Sequence, residues 1–174
     1  MLRWTHRGRR QLHDRSRSPV ESSVTFIRRA DSYSRMSTIF SQIVEGEIPA
    51  RIVYEDETTV AFLDANPLAP GHTLVIPRDE YERLNDVPDD IAADLYDTVH
   101  RMVPAVEESV DADATTVAFN NGEAAGQEVL HVHCHIVPRF EGDGGGPIHA
   151  IAGDRPDLDD DDLDDIAADI ESRA

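Results

Sequence analysis

Three histidines alternate with apolar residues in the run His131-Val132-His133-Cys134-His135-Ile136-Val137. In an extended chain successive side chains turn to opposite faces. The three imidazoles therefore share one side, while Val132, Cys134 and Ile136 enter a core on the other. A face lined this way calls for an anion, a metal ion or solvent. Catalytic zinc is one reading, because a His-x-His pair plus a third His is a respectable ligand set. Against it, the first and second rings stand roughly 7 Å apart along a strand, which makes one ion awkward to share among all three.

The elements that must position this run can be read from the pattern around it. Phe40, Ile43 and Val44 fit one face of a short opening helix that Gly46 and Pro49 terminate. Residues 51–55 and 59–63 read as strands about the turn Asp56-Glu57, and 72–77 as a third strand that ends on a proline. Between the last two, Asn66-Pro67-Leu68-Ala69-Pro70-Gly71 is a stiff loop, since each Pro fixes its own φ and restricts the residue before it. Ile91, Leu95, Val99, Met102, Val103, Val106 and Val110 recur at spacings of three and four and predict a main helix over 88–110, kinked or split at Pro104. Residues 115–120 and 130–137 read as two more strands. From residue 158, Leu163, Ile166, Ala167 and Ile170 give an acidic helix a thin apolar edge. This order predicts an α+β domain with an antiparallel sheet of about five strands.

Charge divides the 174-residue chain sharply. Residues 1–35 hold nine arginines against three acids, a net of +6; residues 36–174 hold seven arginines, no lysine and 32 acids, a net of −25. Such a body repels nucleic acid at long range, and at molar salt the screening length falls to roughly 3 Å. The expected setting is therefore a salty cytoplasm. The first 35 residues read as a disordered basic tail, or as upstream sequence ahead of a true start at Met36. The single cysteine, Cys134, allows no intrachain disulfide, and no apolar run is long enough to span a membrane.

The histidine run, written His-φ-His-φ-His-φ-φ with φ apolar, resembles the signature of the histidine triad (HIT) family. The likeness extends through Asn120-Asn121-Gly122 and Ala125-Gly126-Gln127, and back through Phe62-Leu63-Asp64 to Gly71-His72 and Leu74-Val75-Ile76-Pro77. Ile39-Phe40 and Glu45-Gly46-Glu47-Ile48-Pro49-Ala50 are similar to the family's opening. The resemblance implies a HIT-like domain over 36–140, followed by an acidic extension over 141–174. It also implies a nucleotide hydrolase acting at the α-phosphate of purine nucleoside phosphoramidates or dinucleoside polyphosphates. In that reading His133 attacks phosphorus and carries the nucleotide as a phosphohistidine, with its far nitrogen held by the carbonyl of His131. His135, Gln127, Asn120 and the backbone at Gly126 would hold phosphate oxygens. His131 and His72 would tune protonation, Asp64 would bind the ribose hydroxyls, and Phe40 and Phe62, with Ile39 and Ile43, would sandwich the base.

Plainer roles compete for several of these residues. Asp64 also suits a turn ahead of Asn66-Pro67, His72 a structural histidine, and Phe40 and Phe62 an ordinary core; Asn121 rivals Asn120. A module that binds nucleotide without turnover is the alternative to an enzyme. Relatives that transfer nucleotides to sugar phosphates carry His-Pro-His, and Val132 speaks against that branch. Where many relatives hold structural zinc with Cys-x-x-Cys and two histidines, this chain has Thr38, Ser41 and Asp79-Glu80-Tyr81. Hydroxyls are poor zinc ligands, so no structural zinc is expected. Glu128 stands where some relatives use Ser or Thr toward the leaving group. No cofactor is required at the nucleophile, although magnesium can accompany a polyphosphate. The resemblance further implies a homodimer.

Overall fold

A computed structural model describes residues 37–147, 150 and 156–174. The expected basic tail at 1–35 lies outside them, as does His149.

The chain opens with helix α1 (Ile39–Val44), whose first turn is capped by the Thr38 hydroxyl accepting from the amide of Ser41 at 3.1 Å. Strands β1 (Ile52–Glu55) and β2 (Thr59–Leu63) form a hairpin. Asp56 organises its turn by accepting from the amides of Thr58 and Thr59 and from the Tyr54 hydroxyl, which holds its carboxyl well below the ordinary range. Strand β3 (Thr73–Pro77), helix α2 (Asp89–Val110), strand β4 (Ala114–Phe119), strand β5 (Cys134–Arg139) and helix α3 (Asp160–Glu171) follow. The five strands form one antiparallel sheet in the order β1-β2-β3-β5-β4, so β5 returns between the third and fourth strands.

The two faces of the sheet are covered differently. On one, α2 lays Leu95, Val99, Met102 and Val106 against Ala61, Val75, Val132, Cys134 and Ile136. On the other, Phe40 of α1 packs with Val60, Phe62, Leu74 and Ile76. The alternation expected along the histidine run is present: Val132, Cys134 and Ile136 face α2, and burial there pushes the Cys134 thiol up to about 12.

Two expectations change. The strand expected over 130–137 begins only at Cys134, four residues late. The ladder with β3 stops at the pair Val75–Cys134. Two steps beyond, β3 offers Pro77, which has no N–H to give, and whose carbonyl already accepts from the ring of His131. Residues 131–133 are held instead by the amide of Val132 donating to the carbonyl of Tyr81 at 2.7 Å. Pro104 does not split α2, which runs unbroken through it. The residue robbed of its helical bond is His100, on the exposed face, while the apolar stripe continues on the buried side.

Beyond β5 the chain turns back under Arg139, which makes paired bonds to Asp143 at 2.7 and 2.8 Å and also reaches the carbonyl of Gly146. Every residue of α3 is exposed, including Leu163, Ile166 and Ile170. Among the described residues no helix is long and apolar enough to cross a membrane.

Candidate active site

The start of β5 brings four imidazoles together, each locked into one tautomer by its neighbours. His133 donates from Nδ1 to the backbone carbonyl of His131 at 2.7 Å. Its Nε2 therefore keeps a free lone pair. The ring is 7% exposed and meets the edge of Phe40 at 5.1 Å between centroids. Burial lowers its pKa below the usual imidazole value, so it is a neutral base.

His72, just before β3, accepts at Nδ1 from the amide of Leu68 at 3.2 Å, so its proton sits on Nε2. That proton faces Nδ1 of His135 at 3.0 Å, and the two rings stack at 5.2 Å. The His135 proton is thereby placed on Nε2, a buried donor with no partner among the described residues. Burial and the neighbouring histidines push His135 down to about 4. An unpartnered buried N–H is costly unless a ligand supplies the acceptor, and here it lies in the ring 4.9 Å from His133. Asp64 comes within 3.5 Å of His72 Nδ1, yet that nitrogen already accepts from Leu68. The contact is thus not an ion pair while the ring is neutral, and burial lowers the His72 pKa.

His131 is fully buried and cannot touch a ligand. Its Nε2 donates to the carbonyl of Pro77 at 2.8 Å, and its Nδ1 stands 3.3 Å from the Thr38 hydroxyl. Asp64 takes the turn role. One oxygen accepts from the amide of Asn66 at 2.8 Å in a turn, and the half-buried carboxylate stays beside the histidines.

The loop before the triad differs from the expectation. Gln127 is 5% exposed with its amide fully committed: Oε1 accepts from Gly122 at 2.7 Å, and Nε2 donates to the carbonyls of Glu82 and Val129. It shapes the loop and has no donor left for phosphate. Asn121 is likewise engaged, accepting from the amide of Leu84. Asn120 has only a long 3.5 Å contact to the carbonyl of Gly126, which leaves it the freer amide. Gly126 has φ +89°, a left-handed conformation in which a side chain would be strained. Glu128 is exposed and makes no side-chain hydrogen bond among the described residues. Phe62 is 2% exposed, packed edge-on to Phe40, and offers no ring face to a base. Phe40 walls the nucleophile, Ile39 is exposed beside it and Ile43 is half-buried.

For a metal ion, the donors that converge are Asp64, His72 and His135, not the three triad rings. Two of these nitrogens share a proton with each other, and the remaining nitrogen of His72 accepts from Leu68. As arranged, these residues do not fit an ion. Two surface hollows, of about 530 and 270 Å³, lie along the outer side of α2 near Asp97; the larger touches His100, and neither touches His72, His131, His133 or His135.

Sequence reasoning grouped Thr38, Ser41 and Asp79-Glu80-Tyr81 only as the place of an absent zinc site and missed their link to His131. Ser41 donates to its carboxylate at 2.6 Å, and Thr38 bridges Ser41 to His131. The Thr-x-x-Ser spacing at a helix start was the available signal.

A neutral imidazole presented with its lone pair free, next to an unsatisfied buried N–H, defines a class of site suited to attack on an oxyanion-bearing centre. Comparison with known proteins narrows this. The HIT domain model matches residues 45–142. An uncharacterized HIT-like protein of Methanocaldococcus jannaschii is 50% identical over 106 residues, 61% of this chain and 81% of that one. The adenosine 5′-monophosphoramidase of Candida albicans is 34% identical over 110 residues, 61% of this chain and 72% of that one. The crystal structure of a HIT family member from Bacillus subtilis superposes with a TM-score of 0.71 at 34% identity, covering 79% of this chain and 97% of that one. The chain belongs to the HIT family.

Proposed function

We propose that the chain hydrolyses nucleotides at the α-phosphorus of nucleoside phosphoramidates or dinucleoside polyphosphates through a covalent intermediate on His133. The observation that carries this reading is the 2.7 Å bond from His133 Nδ1 to the carbonyl of His131, which leaves Nε2 as an unprotonated nucleophile. In the first step the Nε2 lone pair forms a bond to phosphorus and the bond to the leaving amine or phosphate breaks; the leaving group takes a proton from solvent. In the second, water attacks phosphorus and gives up a proton to solvent, the P–N bond to His133 breaks, and the nucleoside monophosphate departs as the lone pair returns to Nε2. The His135 Nε2–H and Asn120 stabilise the oxygens as charge builds, and Asp64 accepts from the ribose. Phe40, with Ile39 and Ile43, walls the base. The name of the Candida relative favours a phosphoramidate over a polyphosphate. No metal enters either step, and magnesium would only accompany a polyphosphate.

A second copy of the chain is the expected partner, placed along the free edge of β4. There Val117 is exposed and Tyr96 of α2 leans on Phe119 at 5.9 Å.

The test is product analysis in molar salt with adenosine 5′-phosphoramidate and diadenosine tetraphosphate, on wild type and His133→Ala. Wild type should release AMP and the variant should lose about a thousandfold or more in kcat while still binding nucleotide. Binding without product by folded wild-type protein, or comparable turnover by the variant, overturns the reading.

A further inference from the structure

Behind the nucleophile lies a hydrogen-bonded set that reaches no ligand. The Glu80 carboxylate accepts from the Ser41 hydroxyl at 2.6 Å and from the Thr38 amide at 3.3 Å. The Ser41 and Thr38 hydroxyls are 2.9 Å apart, and the Thr38 hydroxyl is 3.3 Å from Nδ1 of His131. His131 Nε2 is already spent on the carbonyl of Pro77.

The set is one proton short while His131 is neutral. A carboxylate brings none, so the Ser41 proton goes to Glu80. The single proton of Thr38 can then serve Ser41 or His131, not both, and one contact is unsatisfied while His131 is neutral. A proton added at Nδ1 of His131 resolves this. Nδ1–H donates to Thr38, Thr38 to Ser41, and Ser41 to Glu80, a continuous chain from imidazolium to carboxylate. The groups facing the His131 ring are Thr38, Glu80 and Asp79, which favour its charged form or can accept from it, and His133, which opposes it; the Phe40 ring closes the side.

We propose that Glu80 is a positioning residue for the nucleophile: through Ser41 and Thr38 it governs the proton count and orientation of His131, whose carbonyl aims His133. The inference rests on His133 being the nucleophile. When an anionic phosphate approaches, its charge and that of Glu80 both favour a proton on His131, against the burial that lowers its pKa. That proton is taken up from solvent through the half-buried Ser41 and Thr38 hydroxyls, and the completed chain fixes the ring and carbonyl at the moment His133 attacks. The Ser41 and Thr38 contacts outweigh partial burial and pull the carboxyl of Glu80 below its ordinary range, keeping it charged.

The experiment is a histidine titration by NMR on the full chain in molar salt, comparing wild type, Glu80→Gln and Ser41→Ala. Glu80→Gln keeps an acceptor for Ser41 and removes the charge. Ser41→Ala cuts the relay and leaves the Thr38 cap intact, because that cap uses the backbone amide of residue 41. The midpoint of His131 should fall by about half a pH unit in Glu80→Gln and by a smaller measurable amount in Ser41→Ala. With a turned-over substrate, kcat should fall about threefold to tenfold in both with KM unchanged. A His131 midpoint that stays put in either variant, with only the melting temperature lowered, overturns the proposal and leaves the set a structural clasp. The titration needs no turnover, so an inactive wild type removes the proposed function without deciding this coupling.

Discussion

The two faces of the sheet share the same strands and obey different rules. Toward α2, Leu95, Val132 and Ile136 are held by shape and by exclusion of water, with no direction to their contacts. Toward α1, His72, His131, His133 and His135 are held by hydrogen bonds whose donors and acceptors cannot be exchanged without changing the tautomer of the next ring. Burial is the largest cause of the lowered pKa at all four histidines, and the Phe40 ring of α1 packs edge-on to two of them.

The sharpest way to separate the faces is a pair of substitutions. His133→Ala should remove turnover almost completely yet lower stability only by about 1–2 kcal/mol, since one backbone bond and the edge contact to Phe40 are lost. Leu95→Ala, at a position with no exposure, should do the reverse. It costs about 3 kcal/mol in denaturant melts, while kcat of the folded fraction stays within about twofold.

Acid should find the histidine face first. His135 is held down at about 4 from 6.5. Between those values the unfolded chain binds protons that the folded chain refuses. Stability from this group is therefore complete above about pH 6.5 and is lost as pH falls toward 4. Denaturant melts in molar salt should show a decline on the order of 1–2 kcal/mol over that window, and His135→Gln should flatten it. A decline of equal size in the variant would assign it elsewhere.

Gln127→Ala tests whether the loop is built or merely draped. Removing an amide that satisfies Gly122, Glu82 and Val129 should cost about 1–2 kcal/mol and raise KM more than it lowers kcat. The smallest effect on the site is expected from salt. Raising it from 0.1 to 2 M should raise the melting temperature, because most acids among the described residues are exposed and their repulsion is screened. The midpoints of the buried histidines should move by less than about 0.2 pH unit.

Much of this comparison was legible in the sequence, for a definable reason. Alternation along 131–136 and the three-four spacing along α2 are local signals of burial, and both faces follow from them. Tautomers are not local. The proton on His135 is placed by the amide of Leu68 acting through His72, a chain that crosses from the loop after β2 to β5. For the same reason Gln127 read as a phosphate ligand, although its three partners come from residues 82, 122 and 129. Phe62 read as a base contact because a sequence shows an aromatic ring without its 2% exposure. Glu80 lies 51 positions from His131 and meets it only because α1 delivers two hydroxyls between them.

The late start of β5 has a bearing on access. His133 stands one residue outside the ladder, tied to the body through its neighbour Val132 and the carbonyl of Tyr81. This stretch can therefore breathe while the sheet remains zipped. A ring packed nearly shut can be uncovered by a small local opening, at a free-energy cost far below that of unfolding the domain.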